Sequence, residues 1–319
     1  GAQQSQLEAM ITADEKTGFD WKAMKNCRRS DEAVGTHIER IRSLIPGQFP
    51  LKVALDCGGG AASVITPLLL RKMGCEVIEL HCTPDGRFPR PSEPTEKNLQ
   101  GLVKLTGETG ADIGIAHDGD ADRMMAVDDK GRFIPGDKLL VIFARYYGGE
   151  KVVTTLDASM IIDEAGFSVV RTKIGDNYVS EELRSGGRFG GEPSGSWVFP
   201  EDTFCPDGPF AAARLITIAA ERKLSEYVDE IPDYPIRRTS LPVTSFDAAA
   251  MKRYLQVLQP LWVDDRDGIK AGFEDGWIMI RPSGTEPILR LAVEARDEKL
   301  LAQLYKNGKE IIERYSKEE

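Results

Sequence analysis

From residue 51 onward, apolar runs of strand length in this 319-residue chain alternate with glycine-bearing turns and helix-length amphipathic stretches. That order is best met by a parallel sheet with covering helices, because parallel neighbours need a long crossover that buries an apolar helix face. The run at 52–55 ends at Asp56, turns through Cys57-Gly58-Gly59-Gly60 and enters a helical pattern over 61–73. A strand at 76–80, a loop rich in Pro, Gly and charge at 84–94, an amphipathic helix at 96–109 and a strand at 113–116 follow. Residues 124–127 and 132–134, joined by Asp129-Lys130-Gly131, predict a hairpin. A second series begins at 152–156, with a helix near 159–165 and a strand at 168–172, so two related α/β units are expected in tandem. Helices at 210–222 and 225–230 lead to a linker, Pro232-Asp233-Tyr234-Pro235. The remainder reads strand 236–243, helix 248–258, strands 276–280 and 288–295, then helix 298–315. That last helix keeps Leu300, Leu304, Ile311, Ile312 and Tyr315 on one face. A small α+β domain beginning near residue 231 is predicted.

A hydrophobic content of 41% is ample for two or three cores. The net charge of -10 argues against a nucleic-acid or anionic-membrane surface, so any anionic ligand must be held by local donors. Five scattered cysteines, an odd number without metal-type spacing, suit a reducing cytoplasm better than a disulfide framework. With no apolar run of the ~18 residues a span needs, a soluble protein is expected. The chain opens on a polar stretch without Met, which reads as an engineered scar or an internal start.

Three loops carry chemistry. His117-Asp118-Gly119-Asp120-Ala121-Asp122-Arg123 follows a strand and places three carboxylates at alternate positions. Such charges repel unless a hard cation sits among them, which favours an oxygen-ligated Mg²⁺ over a solvated acidic turn. An EF-hand is excluded, because its sixth position would be Arg123 and its twelfth Asp129. Gly190-Gly191-Glu192-Pro193-Ser194-Gly195-Ser196-Trp197 brings backbone close to a ligand while Glu192 and Ser194 offer partners for sugar hydroxyls. Alone, it reads equally well as a structural turn. Arg281-Pro282-Ser283-Gly284-Thr285-Glu286-Pro287, preceding the strand with Arg290, offers a guanidinium, two hydroxyls and loop N–H groups to a phosphate dianion; a plain hairpin is the alternative. The Cys57-Gly58-Gly59-Gly60-Ala61-Ala62-Ser63 turn has Ser63 where a dinucleotide fingerprint needs its third glycine, so a strand-to-helix turn is preferred.

In this order and pairing the loops resemble the signatures of the α-D-phosphohexomutases, the family of phosphoglucomutase, phosphomannomutase and phosphoglucosamine mutase. His117 to Arg123 resembles the metal loop, Gly190 to Trp197 the sugar loop and Arg281 to Pro287 the phosphate loop. The match extends to Asp56-Cys57-Gly58-Gly59-Gly60 and Asp85-Gly86-Arg87-Phe88-Pro89, and so covers nearly everything after residue 51. The resemblance implies an α/β fold of two tandem α/β/α domains plus a C-terminal α+β domain of TATA-binding-protein type. The expected division is 49–147 with the metal loop, 148–230 with the sugar loop and 231–319 with the phosphate loop. Residues 1–48 would be the remnant of a first domain and linker, with 36–44 as its trailing helix.

The resemblance further implies a mutase that interconverts 6-phospho and 1-phospho hexoses through an enzyme phosphoserine and a hexose bisphosphate, as a monomer or homodimer. Its Mg²⁺ would be held by Asp118, Asp120 and Asp122, with Arg123 and Lys173 in catalytic positions. Glu192, Ser194 and Ser196 would contact sugar, and Arg281, Ser283, Gly284, Thr285 and Arg290 phosphate. Two departures stand out. Many members read Gly-Glu-x-Ser-Gly-His in the sugar loop where this chain has Ser196, so no proton-transfer role carries over from that His; the Ser-Trp form is similar to archaeal-type members acting on glucosamine phosphate. The family's Thr-Ala-Ser-His-Asn-Pro-like phosphoserine loop is absent, since none of His37, His81 and His117 follows a serine. The chain is therefore expected to be an inactive mutase fragment. The alternatives are a non-catalytic sugar-phosphate-binding protein and a metal-dependent phosphatase.

Overall fold

The computed structural model describes residues 2–13, 22, 24, 32–243, 246–283 and 287–318. The chain divides into two units, residues 1–37 and 38–319. The first holds α1 (Ala2–Thr12), whose described side chains are all exposed. Helix α2 (Glu32–Leu44) begins in the first unit, and its buried residues Ile38 and Ile41 belong to the second.

The βα blocks form the first sheet, ordered β2-β1-β3-β4-β5. Its parallel strands β1 (Lys52–Asp56), β2 (Glu76–Leu80) and β3 (Ile113–His117) are joined by crossovers containing α3 (Thr66–Lys72) and α4 (Gln100–Thr109). The antiparallel β4 (Met124–Val127) and β5 (Phe133–Ile134) complete it. Two expected helices are shorter than predicted. The 61–73 pattern is a 3-10 turn over Ala61–Val64 followed by α3, with Pro67 at the start of the α-helical part. The 96–109 helix begins only at Gln100, because Asn98 N and Leu99 N are taken up in turns on Thr95 O just after Pro94.

The second sheet, ordered β7-β6-β8-β9, repeats the first four strands of the first. Strands β6 (Lys151–Thr155), β7 (Ser168–Thr172) and β8 (Phe189–Gly191) are parallel, and β9 (Trp197–Val198) returns antiparallel. The metal loop between β3 and β4 and the sugar loop between β8 and β9 therefore occupy equivalent places. Both lie at the carboxyl ends of parallel strands, the usual ligand crevice of an open α/β sheet. Helices α5 (Gly136–Phe143) and α6 (Asp176–Arg184) had no counterpart in the sequence patterns. Phe143 of α5 packs among Phe189, Trp197 and Phe199, so this helix belongs to the second sheet's core although it precedes the expected boundary at 147. Helices α7 (Gly208–Glu221) and α8 (Leu224–Glu230) follow.

The C-terminal sheet is antiparallel, ordered β10-β14-β13-β12-β11. It comprises β10 (Ile236–Pro242), β11 (Trp262–Asp264), β12 (Ile269–Phe273), β13 (Gly276–Pro282) and β14 (Ile288–Ala295). The short β11 and β12 correct the expected strand-helix-strand-strand-helix order: their charges and glycine gave no apolar run to read. One face buries Ile278, Ile280, Leu289, Leu291 and Val293 beneath α9 (Ala248–Gln256) and α10 (Glu298–Glu318). The other face carries Trp277, Met279, Arg281, Arg290 and Ala292. Among the described residues no helix is long and apolar enough to cross a membrane.

Candidate active site

At the end of β3, His117 is fully buried, with Nδ1 3.1 Å from Arg123 O and Nε2 3.2 Å from Thr66 Oγ1. Burial pushes its pKa down to about 4, so it serves as a neutral brace rather than an acid-base group near neutrality. Beyond it Ala121 adopts φ 67, a left-handed conformation rare outside glycine, and Gly208 N bonds its carbonyl at 3.1 Å. The bend gathers carboxylate oxygens of Asp118, Asp120 and Asp122 within 4.8 Å of one another. Burial, with the charges of Asp122 and Asp120 adding to it, pushes Asp118 up to about 7. Asp122 Oδ1 and Arg123 Nε are buried without hydrogen-bond partners, facing each other in an ion pair at 3.9 Å. Crowded carboxylates, one of them with a buried oxygen that accepts no hydrogen bond, fit a hard cation bound through oxygen.

The Cys57-Gly58-Gly59-Gly60 turn props up this loop. Ala61 N bonds Gly119 O at 2.9 Å, and a methyl added at Gly60 would collide with that carbonyl. Buried Asp56 accepts from Gly58 N at 2.8 Å and from Arg90 Nε at 3.0 Å, and Arg90 also donates to His117 O.

The sugar loop is stitched directly onto the metal loop. Arg123 and Ser196 form an antiparallel bridge, Met124 N bonds Gly195 O at 2.9 Å, and Trp197 Nε1 bonds Met124 O at 2.7 Å. Ser196 is thereby buried in the seam, whereas Ser194 is exposed to the cavity. Glu192, 8% exposed, accepts from Gly175 N at 2.8 Å. Burial pushes its carboxyl up to about 7 against that hydrogen bond, with Asp157 and Asp176 adding to the rise.

Arg123, Glu192, Ser194, Arg281 and Arg290 line one cavity of about 620 Å³. Arg281 stands directly opposite Arg290 across β13 and β14, and its NH1 lies 3.2 Å from Asp267 Oδ2. Ser283 N bonds Ile288 O at 3.0 Å at the base of the phosphate loop; Gly284 and Thr285 lie outside the described residues. Lys173 is exposed, with Nζ 5.8 Å from the Tyr178 ring centre, and does not line the cavity. The C-terminal domain is docked through Asp267 Oδ2, which accepts from Ile174 N at 2.9 Å, and through Lys270 Nζ, 2.6 Å from Leu156 O. Sequence reasoning passed over Asp157 and Arg238, which also line the cavity. Neither sits in a recognisable motif; only the alternation of β10 offered a signal for Arg238.

Family models match in succession: phosphoglucomutase/phosphomannomutase alpha/beta/alpha domain II over residues 33–131, alpha/beta/alpha domain III over 135–234 and the C-terminal domain over 241–307. The chain belongs to the α-D-phosphohexomutase family. Among curated phosphohexomutases, it is 46% identical over 305 residues to the "Probable phosphoglucosamine mutase" of Methanosarcina barkeri, covering 93% of this chain and 70% of that protein. It is 36% identical over 330 residues to the phosphoglucosamine mutase of Methanocaldococcus jannaschii, covering 97% and 74%. The structure of a phosphoglucomutase/phosphomannomutase family protein from Burkholderia thailandensis superposes with a TM-score of 0.80 at 26% identity, over 98% of this chain and 70% of that one.

Glu192 makes the stability of this phosphohexomutase depend on pH. Its folded carboxyl titrates near 7 against 4.5 for the free group, so its contribution to stability is greatest below pH 4.5 and is lost as pH rises through 7. Glu192→Gln keeps an acceptor for Gly175 N but cannot ionise. Thermal melts of the variant should gain on the wild type between pH 4.5 and 8, by up to about 3 kcal/mol. A difference that does not change with pH would refute this assignment.

Proposed function

We propose that this chain supplies the metal, sugar and phosphate loops of a magnesium-dependent phosphosugar mutase that interconverts 6-phospho and 1-phospho hexoses through a phosphoserine and a hexose bisphosphate. The observation that carries this reading is the Arg123–Ser196 bridge, which joins metal loop to sugar loop beside a cavity that Arg123 lines together with Arg281 and Arg290. Mg²⁺ held by Asp118, Asp120 and Asp122 would neutralise charge on the phosphoryl group in transfer. Arg123 orients Asp118, to whose Oδ1 its backbone N–H donates at 3.2 Å. Glu192 and Ser194 bond sugar hydroxyls, while Arg281, Ser283, Gly284, Thr285 and Arg290 grip the phosphate that is not reacting. Lys173 approaches the ligand only if its side chain leaves Tyr178. Glucosamine phosphate is the favoured substrate, supported by the Ser196-Trp197 form of the sugar loop and by relatives named phosphoglucosamine mutase. Domain limits of 49–134, 135–230 and 231–319 suit the three sheets, the first boundary moving from 147 to 134 because α5 packs with the second sheet.

Because its sequence contains no Ser-His-Asn-Pro loop, the chain by itself is expected to bind hexose phosphate with Mg²⁺ but not to turn it over. Offering glucosamine 6-phosphate, glucose 1-phosphate and mannose 1-phosphate with a bisphosphate primer tests this; turnover of any of them by this chain alone defeats the inactive-fragment reading. The same absence supports a second reading, a non-catalytic sugar-phosphate-binding protein, which a phosphoserine detected by mass spectrometry in the natural protein would exclude. Trapping a phospho-aspartate at Asp118 or Asp120 would instead favour a metal-dependent phosphatase.

A further inference from the structure

The neighbours Arg237 and Arg238 point to opposite faces of β10. Arg237 lies on the helix side, 3.7 Å from Glu298 Oε2 and 5.1 Å from the Tyr305 ring centre. Arg238 lines the cavity. In the register of the sheet Ser240 stands opposite Arg290, and Arg290 stands opposite Arg281. Arg238, two residues along β10 from Ser240, thus shares its face with Arg290 and Arg281 across three adjacent strands, with strand spacings of about 4.8 Å.

Arg281 is paired with Asp267, but among the described residues the guanidinium of neither Arg238 nor Arg290 makes a hydrogen bond or ion pair. Asp137, the carboxylate that feels the charge of Arg238, already accepts from Ser159 N through Oδ1. Like charges on neighbouring strands of one face repel. Arg238 and Arg290 are both exposed, but they share one cavity wall with Arg281, so an anion bound there would meet converging guanidinium groups and offset their like charge. A guanidinium matches the oxygens of a phosphate with two parallel donors.

We propose that Arg238 is a further phosphate-contacting residue of this cavity, reaching from β10 to the dianion gripped by Arg290 and Arg281 on the next two strands. This rests on the sugar-phosphate reading of the cavity, and the experiment separates the two. The intact chain with Mg²⁺ is titrated calorimetrically with glucose 1,6-bisphosphate, glucosamine 6-phosphate and unphosphorylated glucosamine, as wild type and as Arg238→Gln, Arg238→Lys, Arg237→Gln and Arg281→Gln. Arg238→Gln should weaken both phosphate ligands at least about tenfold, the size of one charge-assisted hydrogen bond, without altering any response to glucosamine. Arg238→Lys should restore only part of the loss, since a point charge cannot reproduce the fork. Arg237→Gln, one residue away but on the helix face, should bind like wild type and report any loss due to disturbed folding of β10. If Arg238→Gln binds like wild type while Arg281→Gln is weakened, the role of Arg238 is overturned and the cavity reading survives. If the wild-type chain binds neither phosphate ligand, both fall together.

Discussion

Asp120→Asn and Asp122→Asn should each weaken Mg²⁺ binding by about 100-fold or more, a loss at least as large as removing a hydrogen-bonding partner from behind a metal ligand. In the metal-free chain the same substitutions should raise the melting temperature. Each removes one of three carboxylates whose oxygens crowd within 4.8 Å and whose mutual repulsion helps push Asp118 up to about 7. Opposite signs with and without the ion separate a lost ligand from a merely damaged fold, which would lower both melts. Thermal melts in EDTA and in excess Mg²⁺, with a direct metal titration, give the answer. Variants that retained the wild-type gain from Mg²⁺ would show that the acidic loop is only a solvated turn.

Gly136→Ala should cost about 3 kcal/mol or more, at the severe end for a single methyl group. Gly136 opens α5 against the sugar loop, and an added methyl would lie far inside contact with the carbonyl oxygen of Pro193. Backbone, not a pliable side chain, stands in the way. Relief requires α5 or the Glu192-Pro193-Ser194 segment to shift, so the affinity for sugar phosphate should fall with stability. Gly107→Ala is the matched control. Gly107 is an exposed position of α4 with nothing within 4 Å of the new methyl, and there the better helix former should add about 0.5–1 kcal/mol. Denaturant midpoints of the two variants moving in the same direction would contradict the steric account.

Much of the fold could be read from local chemistry. Strands β2, β7 and β14 fall where their apolar patterns place them, because each is a short run bounded by turn residues. Strands β11 and β12 escaped notice, since Trp262 and Val263, then Ile269, Ala271 and Phe273, are interleaved with charge and glycine and acquire strand character only by pairing with β13 and one another. Helix α5 was equally hidden, because its unbroken apolar run from Leu139 to Phe143 is too short to show a period. The acidic loop was legible because three carboxylates at alternate positions stand close in sequence, although the bend at Ala121 is what brings their oxygens within 4.8 Å.

The sequence by itself determined the acidic loop that opened the chemical case, the glycine-rich turns and the family to which their combination belongs. These are properties of adjacent residues, whose charge repulsion and backbone freedom operate whatever the rest of the chain does. Only the tertiary structure decided that Met124 meets Gly195 and Trp197, that Ser196 is buried in a seam while Ser194 faces the cavity, and that Lys173 stacks on Tyr178. It also separated Arg237 from Arg238, identical in kind and adjacent in sequence. Their fates differ because strand register assigns one to the helix face and the other to the cavity, and register is set by hydrogen bonds between segments some fifty residues apart.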